Sequence, residues 1–115
     1  MITKGYKISL YAIPGIATFT KQRNINTLLE KAANYHGKDW ERIISKDRSR
    51  YVSDNRKIIM NWLRGYGFSL KEIGNALGKK DHTTVIYCIE KYNALYQTSD
   101  EFREEADLFN CAFKN

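Results

Sequence analysis

FSLKEIGNALGKKDHTTVIYCIEKY, residues 68–92, is the stretch that decides the fold. It opens with Ser69-Leu70-Lys71-Glu72, a capping box in which the serine hydroxyl and the glutamate carboxylate each satisfy a free backbone N–H at a helix start. Leu70, Ile73 and Leu77 are the apolar positions of that helix, and Gly78 breaks it. Asp81 stands at the cap position of the next helix, where Val85, Cys88, Ile89, Tyr92 and Tyr96 recur at spacings of three and four. Two helices joined by a short turn, Gly78 to Asp81, form a helix-turn-helix, predicted over 69–97. Gly74 inside the first helix costs about 1 kcal/mol against alanine. Close approach of the second helix supplies a reason for it, with Ile73, Leu77 and Val85 filling the angle between the two.

Working outward, helical periodicity begins at Asn24. Ile25, Leu28, Leu29, Ala32 and Ala33 form one apolar stripe, with Asn24 or Asn26 as the cap and Gly37 as the stop. A short helix follows, capped by Asp39, with Trp40, Ile43 and Ile44 inward. Residues 45–55 are polar and read as a loop. The next helix is predicted over 53–64, capped by Ser53 or Asp54, with Ile58, Ile59, Trp62 and Leu63 inward and Arg56, Lys57 and Arg64 on other faces. A last helix starts near Ser99 or Asp100 and turns Phe102, Ala106, Phe109 and Phe113 inward. Residues 1–23 alternate weakly around Pro14-Gly15 and read as a short extended or hairpin-like N-terminal arm. The expectation is an all-α, compact cluster of about six helices over residues 24–115, containing a helix-turn-helix.

Composition bounds the function. The chain has 115 residues, 43% hydrophobic, with a net charge of +6. That is globular composition, long enough to bury a core. No apolar run approaches the ~18 residues of a membrane span, so no membrane partner is expected. Two cysteines and two histidines at positions 36, 82, 88 and 111 suit neither a disulfide scaffold nor a zinc site. The reading is a soluble, reduced, cytoplasmic protein. Residues 38–92 carry twelve basic against seven acidic side chains, and residues 93–115 two against five. A phosphate-binding surface therefore belongs to the earlier part of the chain.

The second helix of the pair also carries chemistry. With Val85, Cys88, Ile89 and Tyr92 turned to the core, Thr83, Ile86, Tyr87 and Glu90 face away. His82, Thr83 and Thr84 fill the first turn. A recognition helix brings its N-terminal residues against base edges in the major groove. Short polar side chains there donate and accept, a threonine methyl meets a thymine methyl, and Asp81 can accept from a cytosine amino group or simply cap the helix. Free N–H groups at this end suit a phosphate. No nucleophile has a base beside it in the pattern, so an enzyme is not expected.

Lys80-Asp81-His82-Thr83-Thr84-Val85, after Ser69-Leu70-Lys71-Glu72-Ile73-Gly74, resembles the signature of the C-terminal DNA-binding domain of the DnaA family, the bacterial chromosomal replication initiators. Ser45-Lys46-Asp47-Arg48-Ser49-Arg50 is similar to that family's basic loop, and the likeness runs from about Ile25 to Phe109. The resemblance implies base contacts by Arg48 in the minor groove and by Asp81, His82, Thr83 and Ile86 in the major groove. It implies phosphate contacts by Arg56, Lys57, Arg64 and Thr84, and the basic or polar Lys46, Arg50, Lys71, Lys80 and Tyr87 join that set. Asp47 stands where the family has an arginine, Lys79 where it has a second glycine, and Tyr87 where histidine is common.

The implied function is sequence-specific binding of double-stranded DNA in replication initiation or its regulation, in the cytoplasm of a bacterium or phage and associated with the nucleoid. No G-x-x-x-x-G-K-[S/T] loop is present, so no nucleotide and no other cofactor is expected: the reader without its ATPase. Replication proteins, and a second copy of the chain through the arm, are candidate partners. Two other readings stay open, a dimeric Trp-repressor-like transcriptional regulator and a protein-interaction module that has lost DNA reading.

Overall fold

The computed structural model describes residues 24–113. The arm over 1–23 lies outside them. Among the described residues the helices run α1 (Ile25–His36), α2 (Trp40–Ile43), α3 (Arg50–Gly65), α4 (Leu70–Ala76), α5 (His82–Thr98) and α6 (Asp100–Ala112), with one 3-10 turn, Gly37–Asp39. The all-α architecture and its helix-turn-helix, α4–α5, are as expected. No helix among the described residues is long and apolar enough to cross a membrane.

Local chemistry explains the boundaries. The Asn24 side chain accepts from Asn26 N–H at 2.8 Å, and Gly37 ends α1 at φ +62°. Ser69 and Glu72 form the predicted capping box, Ser69 N–H to Glu72 Oε1 at 2.8 Å and Glu72 N–H to Ser69 Oγ at 3.1 Å. Ser99 Oγ caps α6 by accepting from Phe102 N–H. Asp39 holds its predicted position before α2, but its carboxylate makes no capping bond.

The central helix α3 packs against α1, α2, α4, α5 and α6. Leu28, Ile43, Val52, Ile58, Ile59, Leu63, Ile73, Leu77, Val85 and Phe109 are essentially inaccessible. Each such aliphatic or aromatic side chain contributes about 1.5–3 kcal/mol on burial. Phe109 sits between Tyr35 and Trp62, both edge-on at 5.1 Å.

Helix α3 begins at Arg50, three residues earlier than predicted, with Ser49 at its cap. The reason is visible in its inner face, where Val52, Asn55, Arg56 and Ile59 follow one another at helical spacing and are all buried. Polar residues at core positions hid the period. Arg56 and Lys57 were expected on outer faces; each is only 8% exposed.

The reason for Gly74 also differs in detail. A Cβ there would overlap the Lys80 carbonyl oxygen, with Val85 Cγ2 at 3.5 Å. The turn backbone, more than the axis of α5, occupies the space that glycine leaves.

Candidate nucleic-acid interface

The start of α5 lies open. Asp81, His82, Thr83 and Thr84 are all exposed, as are Ile86 and Tyr87 one turn later. Asp81 does not cap the helix through its side chain. Its carboxylate instead accepts from Thr83 Oγ1 at 2.6 Å, and His82 Nδ1 lies 3.3 Å from Asp81 Oδ1. The Thr83 hydroxyl, foremost, holds the Asp81 carboxyl below its ordinary value. These three polar side chains thus form one linked group on an exposed helix start. The Lys91 ammonium lies 5.7 Å from the centre of the Tyr87 ring.

The loop between α2 and α3 is the second component. Arg48 is exposed, and no hydrogen bond or ion pair among the described residues restrains its guanidinium. Its neighbours, by contrast, are fastened. Ser49 N–H donates to Asp47 Oδ1 at 2.8 Å, and Arg42 Nε donates to Asp47 Oδ2 at 3.0 Å. Arg42 Nη2 also reaches Ser49 Oγ at 3.1 Å. The Ser49 amide and then Arg42 pull the Asp47 carboxyl down to about 2. Asp47 shapes the loop as well as lowering its charge. Sequence reading missed Arg42, whose link to Asp47 spans a helix end and has no helical spacing to reveal it.

The two components are physically joined. Lys80 Nζ donates to Ser45 O at 2.9 Å. Gly78, at φ +88°, brings the turn against Ile44, where a Cβ would overlap the carbonyl oxygen. Lys80 is half-buried, and its ammonium is held below the ordinary lysine value by burial and then by Arg56, with Lys46 adding to it. Burial pushes the Cys88 thiol up, against the pull of Lys57, Arg56 and Lys80. Cations therefore gather where the loop meets the helix-turn-helix turn.

The remaining basic residues are placed differently from one another. Lys46 and Lys71 are exposed. Arg64 is exposed, with Nη1 donating to Phe68 O at 2.7 Å, beside the start of α4. Arg50 leans toward α6, 3.3 Å from Glu101 and 3.8 Å from Asp54. Lys57 Nζ turns back to Ser53 Oγ at 2.7 Å. Arg56 donates through Nε to Ile43 O at 2.8 Å, and through Nη2 to Ser45 O at 3.1 Å and Asp47 O at 3.0 Å. Arg56 and Lys57, expected on phosphates, thus spend donors on the protein itself.

Comparison with known proteins places the helical domain in a family. The family model described as "Bacterial dnaA protein helix-turn-helix" matches residues 25–91. The chromosomal replication initiator protein DnaA of Buchnera aphidicola subsp. Cinara cedri is 40% identical over 96 residues, covering 78% of this chain and 22% of that protein. DnaA of Synechococcus is 33% identical over 86 residues (74% and 18%), and DnaA of Chloroflexus aggregans 37% over 79 (68% and 16%). The chain spans a fifth or so of the length of these relatives. With most of its helical domain matched, including the basic loop, α4 and the first ten residues of α5, the chain belongs to the bacterial DnaA helix-turn-helix family.

Proposed function

We propose that this domain binds double-stranded DNA sequence-specifically, as the reader of a short asymmetric box, and acts in replication initiation or its regulation. The observation that carries the reading is the open α5 start beside a tethered loop whose Arg48 is unrestrained among the described residues. In the proposed pose Asp81, His82, Thr83 and Ile86 meet base edges in the major groove. Arg48 enters the neighbouring minor groove, where a narrow A·T-rich stretch attracts a guanidinium. Lys46, Lys71, Lys80, Arg64, Thr84 and Tyr87 flank that footprint and hold phosphates. Arg50 joins them by leaving exposed Glu101 and half-buried Asp54; the exposed pair is worth only about 0–1 kcal/mol. Replication proteins are candidate partners on this reading.

The test is selection from random duplexes, followed by fluorescence anisotropy on the selected duplex and a scrambled one. Arg48→Ala and His82→Ala are each expected to cost about 1–3 kcal/mol on the selected duplex and much less on the scrambled one. Equal affinity of the wild-type chain for both duplexes rejects the reading. Sedimentation separates a monomeric reader from a dimeric regulator that prefers paired half-sites.

A further inference from the structure

Arg56 makes contacts unlike those of a phosphate-binding arginine. The residue, on α3, is 8% exposed. Nε donates to Ile43 O at 2.8 Å, and Nη2 lies 3.3, 3.1 and 3.0 Å from the carbonyl oxygens of Arg42, Ser45 and Asp47. Ile43 supplies a carbonyl at the end of α2, and the Arg42 carbonyl, which also accepts from Ser45 N–H at 3.1 Å and Ser45 Oγ at 2.6 Å, lies beside it. Ser45 and Asp47 belong to the loop itself. The two hydrogens on Nη2 are shared among three acceptors, so the fork gathers the whole loop entrance at one point. Only an arginine has the donors to do this, since a lysine ammonium is a compact charge on a flexible stem.

The consequence falls on Arg48. Asp47, whose carbonyl Arg56 holds, directly precedes it in the chain. Ser45 O accepts from both Arg56 and Lys80, so the same clasp fixes the loop to the turn before α5. Arg48 has no restraint of its own among the described residues. Its position relative to the recognition helix is therefore set by the backbone that Arg56 gathers.

We propose that Arg56 is a positioning residue, which acts on DNA recognition by holding the Arg48 loop in register with α5 and not by neutralising a phosphate. This rests on the reading of the site as a DNA reader. The two roles separate in salt dependence and in coupling. Removing a side chain that neutralises a phosphate weakens every duplex and reduces the salt slope by about 0.9. Removing a side chain that positions the loop weakens the matched duplex, through Arg48, and leaves the slope alone.

The experiment measures anisotropy titrations of the full chain, on selected and scrambled duplexes across a salt series. The variants are Arg56→Lys, Arg48→Ala and the double variant, each checked by circular dichroism. Arg56→Lys keeps the charge and loses the fork. It is expected to lower affinity for the selected duplex about tenfold and change the scrambled duplex less than twofold; a further variant that removes the charge, Arg56→Gln, is expected to keep the salt slope, and a slope reduced by about 0.9 in it overturns the proposal. The double variant is expected to bind within twofold of Arg48→Ala alone, because residues acting through one another are not additive. Wild-type affinity in Arg56→Lys, or losses that multiply in the double variant, overturns the proposal while the DNA reading stands. Equal wild-type affinity for both duplexes overturns both. If Arg56→Lys does not fold, Arg42→Ala loosens the same loop from its exposed side. A selected-duplex loss that is non-additive with Arg48→Ala then supports the proposal, and affinity unchanged within twofold overturns it.

Discussion

Replacing Gly74 by alanine opposes two effects of known sign. Alanine in the interior of a helix is favoured over glycine by about 1 kcal/mol. Against that, the new Cβ overlaps the Lys80 carbonyl oxygen and stands 3.2 Å from Lys80 C. Its neighbour is backbone, which cannot rotate aside as a side chain tip would. The turn is also clasped at this point from the other direction, by Lys80 N–H donating to Gly74 O at 2.7 Å. Forcing the turn outward strains packing by about 1–3 kcal/mol and gives up a hydrogen bond worth about 1 kcal/mol. The cost exceeds the gain, and the net destabilisation is about 1–3 kcal/mol. For a domain of this size that lowers Tm by about 5–20 °C. Thermal melts and urea titrations followed by circular dichroism measure it. The same displacement moves Asp81 at the head of α5, so affinity for the selected duplex falls even at temperatures where the variant is folded. A Gly74→Ala protein that melts at or above the wild-type temperature refutes the reasoning, because the propensity gain would then have outweighed the supposed overlap.

Two further expectations follow from strain and from burial. Lys79 holds φ +58°, a left-handed conformation costing an L-residue about 1–2 kcal/mol. Lys79→Gly relieves this, glycine's greater unfolded freedom returns part of it, and a net gain of up to about 1 kcal/mol is expected in urea titrations. A loss of stability would show that the lysine is not strained there. His36 is buried, its Nε2 has no hydrogen-bond partner among the described residues, and burial pushes the imidazole below its ordinary value despite the opposing charge of Asp39. The unfolded chain therefore binds the proton more readily than the folded one. The contribution of neutral His36 is fully present above about pH 6.5 and is lost as pH falls from there toward the folded pKa. Tm is expected to decline from pH 7 to pH 5 in the wild-type chain and to decline less in His36→Phe. Parallel declines would place the acid sensitivity elsewhere.

Much of this molecule was legible along the chain because its signals are local. The Ser69–Glu72 capping box, the breaks at Gly37 and Gly78, and the spacing of Val85, Cys88 and Tyr92 act within a turn or two of themselves. They sufficed for the all-α class, for the α4–α5 pair and for an exposed face carrying His82, Thr83 and Ile86. The start of α3 was not legible, because its inner face mixes Val52 and Ile59 with Asn55 and Arg56, and periodicity counts only apolar residues. The fate of the charged residues was settled by tertiary structure. Arg48 and Arg56 look alike in sequence, eight positions apart in a basic stretch, yet one is exposed at the surface and the other holds backbone carbonyls in the interior. A guanidinium's role depends on which acceptors surround it, and those come from α2 and the loop after it, which meet Arg56 only when α3 packs back against them.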